Sequence, residues 1–413
     1  MKILWITNIL FPDVCESLNI QASVVGGWML ASAKELIKIS DVYLGIATVY
    51  NGEFLKIIVK DKITYYLIPS KKKNTKYNKA LEPYWRQVKY EFQPDIVHIH
   101  GTEYAHGLAY IRGCGSERVV VSIQGLVSVI AYYYRAGISA IDILKNMTFR
   151  DLVRGSILKQ QRDFYRQGKI EQEYIRSLSH VIGRTSWDRA HVLAINSSIH
   201  YHFCNETLRE EFYKHTWKYL NCEKHTIFLS QAGYPVKGVH QVIKALPYVL
   251  KEYPDTMVYI AGENITRSES LSERLKISGY GRYIRVLIRK YALTDKIIFT
   301  GFLNEEQICA RYLSANVFIC PSSIENSPNS LGEAQLLGVP CIASYVGGIP
   351  DMMPNKQCGS VYRFDEVEML AAEICTVFKQ RDWDNSPMQE IARKRHDAQV
   401  NCNQMIGIYR AII

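Results

Sequence analysis

The strongest constraint in this sequence is a rhythm. Short apolar runs alternate with stretches of helical periodicity through the first half of the chain, and the pattern then starts again. In the first half the runs are Ile3 to Ile6, "DVYLGIATVY" from Asp41, "PDIVHIHG" ending at Gly101, "RVVVSIQG" and "SHVIGRTS". Continuous runs of this length suit strands buried on both faces, and their exchange with helices such as "WMLASAKELIKIS" calls for a parallel sheet covered on either side. The strands "FLKIIV" and "ITYYLIP" flank a turn, and Asp13 to Gly27 reads as a loop. After the polar, aromatic stretch "HTWKYLNCEKH" the rhythm restarts near Lys224 with the strand "HTIFLSQAG" and the helix "VHQVIKALPYVLKEY". "TMVYIAGE", "KIIFTG", "NVFICPS" and "PCIASY" follow as further short runs. The predicted fold is α/β, with two Rossmann-like domains and a seam between Tyr201 and Lys224. Residues 1–205 form the first domain and 206–394 the second. A C-terminal helix of about 395–413 returns to the first domain, because the apolar residues of "MIGIYRAII" need a surface to cover. In open α/β sheets ligands sit beyond the carboxyl ends of the strands, so a cleft between the domains is the expected place for chemistry.

Composition removes several function classes. At 413 residues, 47% hydrophobic and 22% charged, the chain has material for packed cores and no case for disorder. Lys plus Arg outnumber Asp plus Glu 50 to 40, and the net charge of +10 favours anionic partners such as phosphates, nucleotides or acidic lipid without choosing among them. The cysteines are scattered with no Cys-x-x-Cys pair, which reads as reduced thiols in a cytoplasm. No apolar stretch reaches the ~18 to 20 residues that cross a bilayer, and the amino-terminal run is too short for a signal peptide. The sequence has no short-period repeat, no Walker loop, no Gly-x-Gly-x-x-Gly after a strand and no His-Glu-x-x-His.

The richest segment for chemistry is "PSSIENSPNSLGEAQLLGVPCIASYVGGIPD", Pro321 to Asp351. Its strand leads to a loop and then a helix that Asn329 or Ser330 is suited to cap. The free amides of a helix start, here around Asn329, Ser330 and Leu331, make a ready diphosphate site. Glu333 falls in the first turn, within reach of ribose hydroxyls, and Glu325 falls in the preceding loop, nearer a sugar. Taken alone, two glutamates eight apart near a helix start read better as dipole-favoured surface residues, and the balance turns on the rest of the segment.

In its full context the segment resembles the carboxylate motif of the retaining glycosyltransferases of family 4, the group 1 type, which have the GT-B fold. The family pattern of two glutamates eight apart, a Gly-x-Pro and a Gly-Gly-x-Pro turn appears here as Glu325 and Glu333, "GVP" at 338–340 and "GGIP" at 347–350. "YPVKG" resembles the family's phosphate loop, which implies that Lys237 is the charge partner of the leaving diphosphate. "VVGGW" at Val24 to Trp28 resembles its amino-terminal glycine loop, where Gly26 and Gly27 admit phosphate or acceptor. "DIVHIHG" resembles the strand end that carries a histidine near the acceptor. His98 and His100 alternate along that strand, so one of them, taken as His100, is expected to face the ligand, and a shared metal ion is not expected. Where the family usually has an Arg several residues before the phosphate Lys, this chain has Gln231, and where it often has a donor-contacting His, Gln124 stands. Backbone near Gly301 and Phe302 is expected at the base.

The resemblance implies transfer of a sugar from a nucleotide-diphospho-sugar to a hydroxyl of a saccharide or lipid-linked acceptor, with retention and without a metal or other cofactor. Bacterial surface polysaccharide synthesis is the implied setting. On this reading Glu325, Lys237 and Gln124 are catalytic and Glu333 binds the donor. Two alternatives remain: a nucleotide-sugar epimerase on the same fold, and a non-catalytic nucleic-acid or scaffold protein, which would account for the charge but not for the motif. A further expectation concerns location. Lys71, Lys72, Lys73, Lys76 and Lys79 crowd one loop, Arg162, Arg166 and Lys169 fall at helical spacing, and "LVSVIAYYYRAGI" lies between them. Together they suggest a cytoplasmic protein peripheral on the anionic inner face of the membrane, with a solvated loop and an ordinary core segment as the plain alternative.

Overall fold

The computed structural model describes residues 1–21, 26–71, 75–381 and 383–413. They form two compact units: Met1–Val129 with Tyr165–Leu208 and Arg395–Ile413, and Ile130–Phe164 with Arg209–Lys394.

The first unit holds eight strands: β1 (Lys2–Ile6), β2 (Tyr43–Tyr50), β3 (Lys56–Lys60), β4 (Ile63–Pro69), β5 (Ile96–His100), β6 (Val119–Ser122), β7 (His180–Gly183) and β8 (His200–Phe203). Their order is β3-β4-β2-β1-β5-β6-β7-β8, parallel except where β3 runs against β4. The continuous apolar runs become the central strands, and β5 and β6 are buried at every position. Alternate residues of β1 enter two different cores. Leu4 and Ile6 pack with Trp85 and Val88, whereas Ile3 and Trp5 pack with Met29, Leu36 and Tyr409. The last of these comes from the C-terminal helix Ala398–Ile412, which closes this face as its apolar residues require. Trp5 Nε1 donates to the Tyr409 hydroxyl (3.1 Å), which lies 2.5 Å from Nδ1 of His98.

The second unit holds β9 (Thr226–Leu229), β10 (Met257–Ile260), β11 (Ile297–Phe299), β12 (Val317–Cys320), β13 (Cys341–Ser344) and β14 (Ser360–Tyr362) in the order β11-β10-β9-β12-β13-β14, all parallel. Each unit is therefore a doubly wound α/β sheet. Residues 130–164 belong to this unit. Within them the Thr148 hydroxyl donates to the Ile277 carbonyl (2.9 Å) and Asp151 Oδ1 accepts from the Gly279 amide (3.1 Å).

Three local features differ from the expected pattern. The loop after Pro12 begins with a helix, Pro12–Ser17, since Pro12 sits at its first turn and Asp13 favours its amino end. The edge strands β8 and β14 have the sequences HYHF and SVY, which carry no continuous apolar run because an edge position does not demand one. The tail is two helices, Ser386–Arg395 and Ala398–Ile412, broken where the Asp397 side chain caps the second. All ten cysteines are free thiols. Among the described residues, no helix is long and apolar enough to cross a membrane.

Candidate functional site

In the second unit the carboxyl ends of β9 and β12 bring two distant stretches together. After β9 the chain makes the turn Pro235–Lys237, and Gly238 (φ +68°) turns it into the helix Val239–Glu252. A Cβ at Gly238 would lie 1.6 Å from the Pro321 carbonyl oxygen, so this position requires glycine for both its backbone angle and its close approach. The Ser323 amide then donates to the Val236 carbonyl (2.8 Å), pinning the loop after β12 to the turn. The outcome is a side-chain pair 88 residues apart in sequence: Lys237 Nζ donates to Glu325 Oε1 at 2.6 Å. The Ser322 hydroxyl donates to the same oxygen at 2.7 Å. Burial disfavours the Lys237 ammonium, but the Glu325 carboxylate outweighs it and pushes the lysine above its ordinary value.

The motif's final turn supports this pair from the other side. Gly347 (φ +53°) would place a Cβ 1.9 Å from the Glu325 carbonyl oxygen, which accepts the Gly348 amide at 3.0 Å. The double glycine lets one strand-end loop lie directly on the other.

Glu333 lies on the helix Asn329–Leu337, buried and well apart in kind from Glu325. Arg209 Nε and Nη2 each reach its Oε1 at 2.8 Å. Burial pushes the Glu333 carboxyl up to about 7, while Arg209 opposes the rise. Arg209 was not foreseen. It precedes the turn Glu210–Tyr213 and stacks on Phe212 at 4.7 Å, in a stretch that runs along the helix and ends with the Trp217 amide on the Leu337 carbonyl (2.7 Å). Nothing in its sequence neighbourhood marks a partner 124 residues away.

The helix cap differs from the expected one. Pro328 is the N-cap, no side chain caps the helix, and Asn329 and Ser330 are its first two residues. The Leu331 amide donates to the Pro328 carbonyl (3.0 Å) and the Ser330 carbonyl accepts from the Tyr312 hydroxyl (2.9 Å). Gln231 and Phe302 line a separate cavity of about 730 Å³ beyond β9, β10 and β11, together with Gly262, Gly301, Arg150 and Lys276. Gly262 and Gly301 join across it through an amide–carbonyl bond of 2.8 Å.

The first unit holds the remaining candidates. Gly26 (φ +90°) caps the helix Gly27–Leu36, and Val24 and Val25 of the glycine loop lie outside the described residues. Gln124 Nε2 donates to Glu206 Oε1 (2.8 Å), and Glu206 pairs with Arg184. The reading of the two histidines is corrected. Residues two apart on a strand share a face, and the rings of His98 and His100 lie 4.0 Å apart on the same side of β5. His98 is committed to Tyr409 and to the Ser122 hydroxyl (2.6 Å). His100 meets Trp5 and Trp28 edge to face, and among the described residues neither of its buried ring nitrogens has a hydrogen-bond partner. Burial first, and then Arg184, lower His100 to about 3, so its ring is neutral. Both histidines line a small cavity of about 30 Å³ with Arg184, Glu206 and the two tryptophans.

The family model described as Glycosyl transferases group 1 matches residues 214–395, the stretch that carries the Lys237–Glu325 pair and Glu333. Residues 214–395 are a group 1 glycosyl transferase segment. The chain is 30% identical over 179 residues to YtcC of Bacillus subtilis (strain 168), named as a candidate glycosyltransferase, covering 43% of this chain and 42% of that one. It is 26% identical over 199 residues to WcaL of Escherichia coli (strain K12), named as a candidate colanic acid biosynthesis glycosyltransferase, covering 43% and 49%. The match therefore spans less than half the length of either relative. In three dimensions the whole chain is similar to sucrose-phosphate synthase of Thermosynechococcus elongatus (TM-score 0.69, 14% identity, 100% of this chain and 99% of that one). It is also similar to Anabaena Alr3699/HepE in complex with UDP and glucose (TM-score 0.65, 15% identity, 100% of both chains). The fold is GT-B, with the C-terminal helix returned to the first unit.

Proposed function

We propose that this protein transfers a sugar from a nucleotide-diphospho-sugar to a hydroxyl of a saccharide or lipid-linked acceptor, with retention at the anomeric carbon. The observation that carries the reading is the buried Lys237–Glu325 pair, built by two strand-end loops within the matched family segment. As the donor enters, its diphosphate competes with Glu325 for the Lys237 ammonium. Lys237 then stabilises the negative charge that grows on the leaving group, the larger part of catalysis in such a step. Glu325, relieved of the lysine, turns its oxygens to sugar hydroxyls. Glu333 has one oxygen on Arg209 and the other to accept from the ribose diol. The leaving phosphate oxygen takes the acceptor proton on the same face, so no separate base is called for. Charge neutralisation by Lys237 and main-chain amides makes the reaction independent of divalent metal.

The second unit holds the nucleotide in this reading, with Phe302 and Gln231 beside the base and phosphates, and the first unit presents the acceptor near Gly26, Gly27, His100 and Gln124. Gln124 can both donate to and accept from a sugar hydroxyl. UDP-sugars are the first donors to try, since the similar Anabaena protein was crystallised with UDP-glucose. The free thiols suit a reducing cytoplasm, and WcaL's name suits a surface polysaccharide pathway. The test is a thermal-shift panel of nucleotide sugars followed by NMR of the productive donor with and without acceptor. A raised midpoint for one donor and an α-configured product from an α-configured donor are expected. A free epimerised sugar nucleotide without acceptor, or no shift with any donor, would overturn the reading.

A further inference from the structure

Two short helices of the second unit, Ala140–Lys145 and Phe149–Arg154, turn most of their apolar side chains outward. The polar residues where the two helices meet face the protein: Asn146, Thr148 and Asp151 are buried, with Thr148 and Asp151 bonded to Ile277 and Gly279. Ile143 is buried, but Ile141, Leu144, Phe149, Leu152 and Val153 face water at between 57% and 72% exposed. The helix Leu271–Lys276 packs beside Phe149–Arg154 and adds Leu271 and Leu275, 78% and 56% exposed. A run of apolar side chains turned outward while polar ones are spent inward marks a surface meant to be covered.

The cations around this face are not spent in ion pairs. Lys145, Arg150, Arg154 and Lys276 form no ion pair among the described residues. The acids on the same helices are used locally. Asp151 caps Thr148 and Gly279, Glu273 accepts the amides of Glu269 and Ser270 at 2.8 and 3.0 Å, and Asp142 accepts the Ser139 hydroxyl at 2.7 Å.

We propose that this face docks on the surface of a bilayer containing anionic lipid. A protein partner would favour a shaped, closely packed patch with few lysines. Apolar tips spread over three short helices, ringed by unpaired cations, instead fit the boundary between acyl chains and anionic headgroups. Arg150 and Lys276 also line the 730 Å³ cavity with Gly301 and Phe302, so that cavity opens beside the docking face. The lysine-rich loop of the first unit is a poorer candidate. Lys71 lies 3.8 Å from Glu53, and Lys72 and Lys73 fall outside the described residues. The proposal goes beyond the transfer reading, and its test does not need turnover.

The experiment floats the full chain with phosphatidylcholine vesicles, with and without about one-third phosphatidylglycerol. Flotation with anionic vesicles at low salt and release near half-molar salt, at a Debye length of about 4 Å, are expected. A Phe149→Ser, Leu152→Ser, Val153→Ser triple variant should lose about tenfold or more in partitioning. Lys145→Gln and Arg154→Gln should each lose about fivefold, and glutamines in place of the five loop lysines should change little. The thermal midpoint is measured for every variant, and if the triple variant unfolds early, the exposed single substitution Leu152→Asp serves in its place. Equal flotation of the folded triple or Leu152→Asp variant, or no flotation of the native chain, would overturn the proposal. So would a lipid-free dimer in sedimentation that the same variants dissolve, because the cover would then be a second copy.

Discussion

The loop that carries Glu325 and the helix that carries Glu333 treat two carboxylates of one motif in different ways. Both acids are largely buried, with side chains 14% and 7% exposed, and each meets one cation supplied from far away in sequence. Glu325 stands on an irregular loop and faces a lysine, a compact point charge on a flexible stem. Glu333 stands on a regular helix and faces an arginine, whose rigid fork puts two bonds on a single oxygen. A lysine can leave its partner for a phosphate, whereas a forked arginine is built to stay. The comparison assigns the exchangeable pair to charge that moves during reaction, and the fixed pair to a donor group that does not.

The hardest way to break this contrast is Lys237→Ala. It should cost about 2 to 4 kcal/mol of transition-state stabilisation, read as the fall in kcat/KM. A loss under about threefold would show that the ammonium serves only Glu325. Next come the carboxylates themselves. Glu325→Gln should lower kcat by about one to two orders of magnitude with donor affinity nearly kept, and Glu333→Gln should weaken donor binding by about tenfold with a smaller effect on kcat, each from loss of a charged hydrogen bond. Titration calorimetry with the donor separates the two effects, and identical profiles would erase the division of roles.

A smaller effect is expected on the pH axis. The Glu333 carboxyl is pushed from 4.5 to about 7 by burial in the folded protein, with Arg209 pulling the other way. The folded state therefore binds that proton more tightly than the unfolded one. Its contribution to stability is complete below about pH 4.5 and is lost as pH rises through about 7, an amount of about 3 kcal/mol at most. Ribose hydroxyls bind the ionised form, so donor affinity should rise a few-fold between about pH 6 and 8. In Arg209→Met the midpoint of that rise should move to higher pH and donor binding should weaken. A midpoint that stays put would mean that Arg209 only packs against Phe212. The smallest expected effect is none at all: excess EDTA should leave turnover unchanged. Activity lost in chelator and restored by magnesium would take the diphosphate away from Lys237 and give it to a metal.

Much of this architecture was legible in the order of residues. A strand buried on both faces in a parallel sheet must be apolar without alternation, and β1, β5, β6, β9, β12 and β13 all declare themselves in that way. Edge strands are released from the requirement, and HYHF and SVY carry no such run. The carboxylate motif was legible as well, since its glycines, prolines and glutamates are local and their spacing survives in one segment. The histidine pair shows a different failure. The information was present in the spacing, and the rule that alternate strand residues share a face assigns both rings to one side.

What the sequence alone determined, then, is the pair of doubly wound sheets, the strand–loop–helix that holds Glu325 and Glu333, and the turn that presents Lys237. Periodicity, turn residues and caps act over a few neighbours and can be read along a line. The tertiary structure alone decided that Arg209 answers Glu333, that Lys237 closes on Glu325 and Ser322, and that residues 130–164 leave their sequence neighbours to turn apolar side chains outward on the second unit. Ion pairs across 124 and 88 residues depend on which chain ends the fold brings within a few ångströms, and no local pattern encodes that distance.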